Sequence, residues 1–173
     1  MRVTSSSSSS SSRKEECEEN EFFLERLRKA LADDDDDEND ASSRVHTTGE
    51  FFESCKRDMG NAHGRKGGGE LMEAVVRVKT TREVENIVRA CAEFKKPVVP
   101  RGAGTGLEGG CVAYFGGIVL DVSLLKTMSM DEMQRTATVG AGVLKNELNT
   151  FLEPYGFIFG PDPSSNPSVG GMA

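Results

Sequence analysis

The sequence predicts an α+β fold in which a small βαβ parallel sheet carries flanking helices and additional strands, preceded by a disordered tail. Residues 74–79 form a short β-branched run, and 81–95 repeat apolar residues at helical spacing before a second short run at 97–100. Composition divides the chain: residues 1–43 carry a net charge of -7, whereas residues 44–173 are neutral and hold all 19 glycines and all 6 prolines. We therefore expect a polar tail followed by one folded domain.

The tail at 1–43 contains two stretches with no apolar side chain to bury, the serine run Ser5–Ser12 and the acidic run Asp33–Asp37. Such stretches are typical of disorder. Between them, residues 21–32 predict a short helix with one apolar face, formed by Phe23, Leu27, Ala30 and Leu31. A helix of about 12 residues is marginal alone, so a transient helix is favoured over a docking helix for a partner.

The folded part begins with a strand at 74–79 and a helix at 81–95, with Thr80 and Glu83 at the spacing of a capping box. The strand at 97–100 completes a βαβ unit, whose strands must run parallel. Further strands are predicted at 116–123 and 135–140, and a second helix over 143–156, in which Gly156 is a natural C′ residue. Residues 44–73 are less patterned, although Phe51, Phe52 and Met59 could cover the sheet.

Several classes of protein find no support in the composition. The four cysteines are scattered without a Cys-x-x-Cys pair, so no metal site is predicted and reduced thiols in an intracellular compartment are the default expectation. No apolar run is long enough for a membrane span, and the N-terminus lacks the apolar core of a secretory signal. Residues 44–173 have a net charge of zero, which gives no indication of a nucleic-acid-binding face.

Mitochondrial targeting stays open. Arg2, Arg13 and Lys14 among many serines fit the composition of a transit peptide. The five glutamates between residues 15 and 21 do not, because transit peptides are poor in acidic residues.

The strongest functional signal is the glycine-rich segment RGAGTGLEGG at 101–110. Residues 104–109 satisfy Gly-x-Gly-x-x-Gly, but no helical pattern follows and the segment comes after the second strand of its βαβ unit, so a Rossmann fingerprint is rejected. A P-loop is rejected as well, because no Gly-Lys-Ser/Thr occurs. Closely spaced glycines still let backbone N–H groups converge on an anion, and a diphosphate is the natural ligand. A flexible surface loop is the alternative.

Four segments occur in the order and spacing of one family: 100–110, 116–123, 139–143 and the Pro/Ser/Gly-rich 161–173. The chain resembles the start of the FAD-binding domain of the vanillyl-alcohol oxidase/p-cresol methylhydroxylase (PCMH-type) flavoproteins. Within that group it is most similar to D-lactate dehydrogenases and the flavin subunit of glycolate oxidase. The resemblance covers about residues 74–173, and 45–73 more loosely. Family members continue well past the last motif, so it implies a first subdomain, truncated before the catalytic residues.

The resemblance implies FAD as cofactor. Relatives with covalently bound flavin often carry a histidine where this chain has Thr105, so non-covalent binding is expected. The glycine-rich segment at 101–110 would wrap the pyrophosphate. The segment at 161–171 would line the flavin and approach the pyrophosphate. The implied cofactor-binding residues are Arg101, Gly102, Ala103, Gly104, Thr105, Gly106, Gly109, Gly110, Pro161, Asp162, Pro163, Ser164, Ser168, Gly170 and Gly171. No catalytic or metal-binding residue is assigned.

The implied function of the complete protein is oxidation of a small D-2-hydroxy acid, D-lactate or glycolate, to the 2-oxo acid. The partners would be that substrate and a separate electron acceptor. A D-2-hydroxyglutarate dehydrogenase or an alkyl-glycerone-phosphate synthase is an alternative within the same fold. The remaining alternative is a truncated, non-catalytic relic of the flavin domain that serves as a binding or interaction module.

Overall fold

The computed structural model of the chain describes residues 9–32, 38–60 and 69–173. Its elements follow in chain order: α1 Ser9–Leu31, α2 Glu38–Ser43, β1 Val45–His46, α3 Glu50–Cys55, β2 Met72–Arg77, α4 Thr81–Glu93, β3 Val98–Arg101, β4 Gly117–Asp121, β5 Met128–Asp131, β6 Thr136–Val139, α5 Lys145–Leu152 and α6 Val169–Met172. A 3-10 turn, Glu153–Tyr155, extends α5 to Gly156, whose φ of 73° confirms the predicted helix end.

The main sheet has four strands in the order β1-β2-β4-β3. β2 and β3 both run parallel to β4, which lies between them, and β1 adds to the edge in the antiparallel sense. The predicted parallel βαβ unit is confirmed, with β4 inserted between its two strands. All five residues of β4 are buried, as expected for a central strand covered on both faces.

The two faces of the sheet are covered by different elements. Alternate residues such as Ala74, Val76, Ile118 and Leu120 pack with α1 and α4. The intervening Val75 and Val119 pack instead on the opposite face, in a cluster completed by Phe52, Cys55, Met72 and Ala113. This alternation follows from the two-residue period of a strand. Phe52 therefore covers the sheet as predicted, whereas Phe51 and Met59 are exposed.

The N-terminal helix belongs to this core. Phe23, Leu27, Ala30 and Leu31 form the predicted apolar face, and all four are buried against the sheet and α4. Phe23 also meets the ring of Phe94 at a centroid distance of 5.2 Å.

The predicted short helix at 21–32 is present within a longer helix, Ser9–Leu31, and Glu38–Ser43 is helical as well, so these parts of the predicted tail are ordered. The physical reason is that the apolar stripe of α1 finds a partner distant in sequence, and tertiary packing stabilises a helix that its own propensity would not. Residues 1–8 and the acidic run at 33–37 lie outside the described residues.

A buried ion pair anchors the start of α4. Thr80 accepts a hydrogen bond from the N–H of Glu83 at 3.1 Å, which confirms half of the predicted capping box. The carboxylate of Glu83 does not return to the N-cap but accepts from the N–H of Lys79 at 2.6 Å and pairs with the buried guanidinium of Arg44 at 2.8 Å. The segment leading into β1 is thereby tied to the helix.

The remaining strands form a separate hairpin. β6 was predicted, but its antiparallel partner β5 was not. The hairpin packs through Met128, Met130 and Val139 against a third apolar cluster, centred on Val143, Leu148 and Leu152 of the α5 region. None of the helices within the described ranges combines the length and apolar character needed to cross a membrane.

The burial of α1 predicts a large stability effect at its centre. Leu27 is 0% exposed, so we expect Leu27→Ala to lower the free energy of unfolding by about 2–5 kcal/mol, through lost burial and the cavity left behind. Leu71→Ala is the matched control, because Leu71 is 66% exposed. Urea denaturation followed by circular dichroism measures both variants, and equal midpoints would mean that α1 does not pack on the core in solution.

Candidate cofactor-binding site

The glycine-rich loop leaves the sheet at its carboxyl edge. Arg77, Arg101 and Asp121, the last residues of β2, β3 and β4, lie side by side because these strands run parallel in register. In open α/β sheets, ligands bind outside the carboxyl ends of the strands. The fold therefore places the loop where such sheets form their sites.

Asp121 holds this edge together. Its buried carboxylate accepts from Arg77 Nε at 3.1 Å and from both the N–H and the hydroxyl of Ser123 at 2.9 Å. The turn after β4 is fixed in this way. The same turn also contacts the segment at 140–142, because the N–H of Gly142 donates to the carbonyl of Leu125 at 3.0 Å. The strand pattern at 116–123 does not predict this role for Asp121.

Three segments converge on the start of the loop. A Cβ built on Gly102 would lie 2.0 Å from Ser168 Oγ, so the first loop touches the second directly. A Cβ built on Gly170 would lie 2.8 Å from the Cβ of Ala141. The N–H of Gly170 also donates to the carbonyl of Ala141 at 3.0 Å. The structure thus brings together the segments at 101–106, 139–143 and 168–171. At Gly102 the glycine is required by this close approach, since no positive φ occurs there.

The backbone amides at the start of the loop have no acceptor within the described part of the chain. Of the hydrogen bonds that the structure describes, none is donated by an N–H group between Gly102 and Gly106. Gly104 has a φ of 68°, and a Cβ on it would lie 2.3 Å from Arg101 Nη2, so the guanidinium lies against the loop. Successive free amides beside a positive charge form a donor set that fits an anion.

The end of the loop differs. Gly109 is buried, and its N–H donates to the buried carboxylate of Asp58 at 2.6 Å. The N–H groups of Gly170 and Gly171 are also used within the protein, by Ala141 and Ser168. These three predicted residues lie at the site, but their amides are already paired. Gly110 is exposed, and a Cβ on it would have open space.

The second segment is held by α5. Lys145 Nζ contacts Asp162 Oδ1 at 2.7 Å, and this hydrogen bond lowers the pKa of the Asp162 carboxyl. The N–H of Lys145 donates to Pro167, and that of Asn146 to the Asn166 side chain, both at 3.0 Å. Pro161, Pro163 and Ser164 are exposed or half-buried within this anchored stretch.

Two thiols lie near the guanidinium of Arg101. Its Nη1 is 3.3 Å from the Sγ of Cys111, and burial raises the pKa of Cys111 despite this neighbour. Burial also raises the pKa of Cys55. Both groups therefore remain neutral thiols at pH 7 and add no negative charge below the loop. Within the described residues, no group of three His, Cys, Asp or Glu side chains could hold a metal ion.

A family model described as FAD binding domain matches residues 72–173, which is more than half of the chain. The chain belongs to this FAD-binding family. The match contains both converging segments, and the free amides between Gly102 and Gly106 fit the pyrophosphate of FAD. The cofactor implied by the sequence is confirmed at the level of the family.

Curated relatives are similar over part of their length. The chain is 39% identical over 105 residues to a mitochondrial D-lactate dehydrogenase (cytochrome) of Arabidopsis thaliana, covering 59% of this chain and 18% of that protein. It is 40% identical over 99 residues to the glycolate oxidase subunit GlcD of Bacillus subtilis, covering 55% and 20%. A D-lactate dehydrogenase of Anaerostipes hadrus is 37% identical over 133 residues, covering 76% and 27%. The chain thus spans less than a third of each relative.

Solved structures support the same fold. An alkyldihydroxyacetonephosphate synthase superposes with a TM-score of 0.72 at 18% identity, covering 88% of this chain and 31% of that one. A p-cresol methylhydroxylase superposes with a TM-score of 0.63 at 17% identity, covering 80% and 25%. The PCMH-type fold expected from the sequence is confirmed.

The contact between Gly102 and Ser168 generates a test of the site. Gly102→Ala would force the two segments apart, so we expect the affinity for FAD to fall by about tenfold or more. Ser168→Gly removes the group that the new methyl would strike, and in the double variant much of the loss should be recovered. Titration monitored by flavin fluorescence measures the affinity.

Gly160→Ala is the control for this substitution, because a Cβ there has no atom within 4 Å and the glycine lacks a positive φ. Strictly additive effects of Gly102→Ala and Ser168→Gly would contradict the proposed contact.

Proposed function

We propose that this chain supplies the pyrophosphate-binding part of an FAD-dependent dehydrogenase or oxidase whose substrate is a small D-2-hydroxy acid, D-lactate or glycolate. The observation that carries the proposal is the run of free backbone amides from Gly102 to Gly106, positioned against Ser168 at the carboxyl edge of a parallel sheet. The similarity to D-lactate dehydrogenases and to a glycolate oxidase subunit supports the substrate class.

In this proposal the chain's own residues bind and orient. The N–H groups of Gly102, Ala103, Gly104, Thr105 and Gly106 donate to pyrophosphate oxygens, and the Thr105 hydroxyl adds a further donor. The bound FAD would supply the redox chemistry, in which the carbon bearing the substrate hydroxyl is oxidised as hydride leaves it. A separate electron acceptor is required for reoxidation.

The second segment faces the flavin in the same proposal. Pro161, Asp162, Pro163 and Ser164 line it, and the Lys145–Asp162 contact holds them in place. Ser168, Gly170 and Gly171 bring the backbone close to the first loop, while Gly109 and Gly110 continue that loop. With their amides paired, Gly109, Gly170 and Gly171 contribute shape rather than hydrogen bonds.

A second substrate is favoured by one specific finding. A mitochondrial D-2-hydroxyglutarate dehydrogenase of Arabidopsis thaliana is 38% identical to this chain over 97 residues. This is about the level of the D-lactate dehydrogenases, so the sequence identity over the matched part does not separate the two substrates. Relatives described as mitochondrial also favour that compartment for this protein.

Flavin binding by the 173-residue chain tests the core of the proposal. We expect FAD to bind with saturable quenching of its fluorescence, and a variant lacking residues 101–110 to lose this binding. We also expect denaturation by acid or heat to release all flavin into the supernatant, because Thr105 offers no attachment point. Flavin that stays with the precipitated protein would contradict non-covalent binding, and an intact, folded chain that binds no FAD would overturn the proposed function.

A further inference from the structure

The segment Arg57–Gly60, which precedes the family match at residues 72–173, makes direct contacts with the glycine loop. We propose that this segment is a clamp that pre-forms the loop for the pyrophosphate, and that Asp58 is its main positioning residue. The inference rests on the proposed function, since it concerns the same loop. It goes further by assigning a binding role to residues that carry no glycine motif.

Asp58 forms the central contact. Its side chain comes from a connecting segment after α3, yet the residue is only 4% exposed. Oδ2 accepts from the N–H of Gly109 at 2.6 Å, across 51 positions in the sequence. A hydrogen bond from a backbone amide to a carboxylate is about twice as strong as one between neutral groups. A buried carboxylate is also costly to leave without its donors, so the bond holds Gly109 firmly.

Gly60 provides a second contact on the same side. Its N–H donates to the carbonyl of Gly106 at 3.2 Å. A Cβ built on Gly60 would lie 2.0 Å from the carbonyl oxygen of Leu107, so the two backbones are in direct contact. Gly60 has no positive φ, and its lack of a side chain is therefore explained by this approach and not by its conformation.

Arg57 completes the clamp at the other end of the loop. Its carbonyl accepts from Arg101 Nη1 at 2.8 Å, at the residue where β3 ends and the loop begins. The segment thus bonds to Arg101 before the loop and to Gly106 and Gly109 within it. The amides from Gly102 to Thr105 lie between these anchors and remain free for an anion.

The energetic reason for a clamp is the flexibility of glycine. Five of the ten residues at 101–110 are glycines, and each loses more conformational freedom on ordering than any other residue. If the loop were ordered only when FAD binds, that cost would be subtracted from the binding free energy. Contacts that order the loop beforehand raise affinity without touching the ligand.

Asp58→Ala tests the clamp through flavin affinity. We expect FAD, and ADP as a probe of the diphosphate without the flavin, to bind about tenfold more weakly, because both depend on the loop. Asp58→Asn retains a side-chain oxygen that can accept from Gly109, so its affinity should lie closer to that of the unmodified chain. Glu53→Ala is the matched control. Glu53 is an exposed carboxylate of the neighbouring helix, and its side chain pairs only with Lys56 among the described residues.

Amide hydrogen exchange tests the clamp without flavin. In the flavin-free chain, Asp58→Ala should speed exchange of the Gly60 and Val112 amides, which donate to the loop carbonyls of Gly106 and Gly109. Gly60→Ala should likewise speed exchange of the Gly109 amide, while β4 keeps its protection in both variants. Gly160→Ala should leave the loop unchanged. If Asp58→Ala leaves both the affinity and the loop exchange as they are in the unmodified chain, the clamp is overturned. If the unmodified chain binds no FAD, the proposed function fails, and exchange of the paired amides of Gly60, Gly109 and Val112 in the variants still decides whether the clamp exists.

Discussion

The parallel pairing of β4 with β2 on one side and β3 on the other is the constraint on which the rest of the structure depends. It buries β4 completely, so both sheet faces need cover, which α1 and α4 give on one side and α3 on the other. It also brings the ends of all three strands to one edge. The glycine loop and the turn after Asp121 therefore start side by side, at the edge where such sheets form their sites.

Hydrogen bonding divides the glycine loop into two parts with different roles. Its first amides, from Gly102 to Gly106, donate to no acceptor among the described residues, whereas the amide of Gly109 is paired with a buried carboxylate. Backbone groups that stay unpaired at an exposed surface cost little, because water satisfies them until a ligand arrives. Glycines recur along the whole motif, but one end of the loop is held by the protein and the other end presents unpaired N–H donors.

Sequence patterns correctly predicted the features that depend on residues close together in the chain. Thr80 caps α4, Gly156 ends the helix after α5, and the apolar stripe of residues 23–31 faces the core. The converging glycine and proline segments were recognised because their order resembles a family, not because composition required it. Partners distant in sequence could not be predicted: Glu83 meets Arg44, Asp58 meets Gly109, and α1 meets α4. Such pairs depend on the tertiary arrangement. In the hairpin, β6 was predicted but β5 was not, because its sequence Met-Ser-Met-Asp carries little strand signal.

In a site built from backbone amides, ligand specificity depends on the relative positions of the N–H donors. Arg101 is the one cationic side chain within 101–106, and its Nη1 donates to the carbonyl of Arg57. It therefore contributes positive electrostatic potential and support for the loop more than a direct hydrogen bond to an anion. Amides fixed in successive positions of a turn favour a ligand with several oxygens at set spacing, which a diphosphate has and a simple halide lacks. In the proposed site, affinity then depends on how rigidly the turn is held, which gives the residues outside the motif that bond to the loop a part in binding.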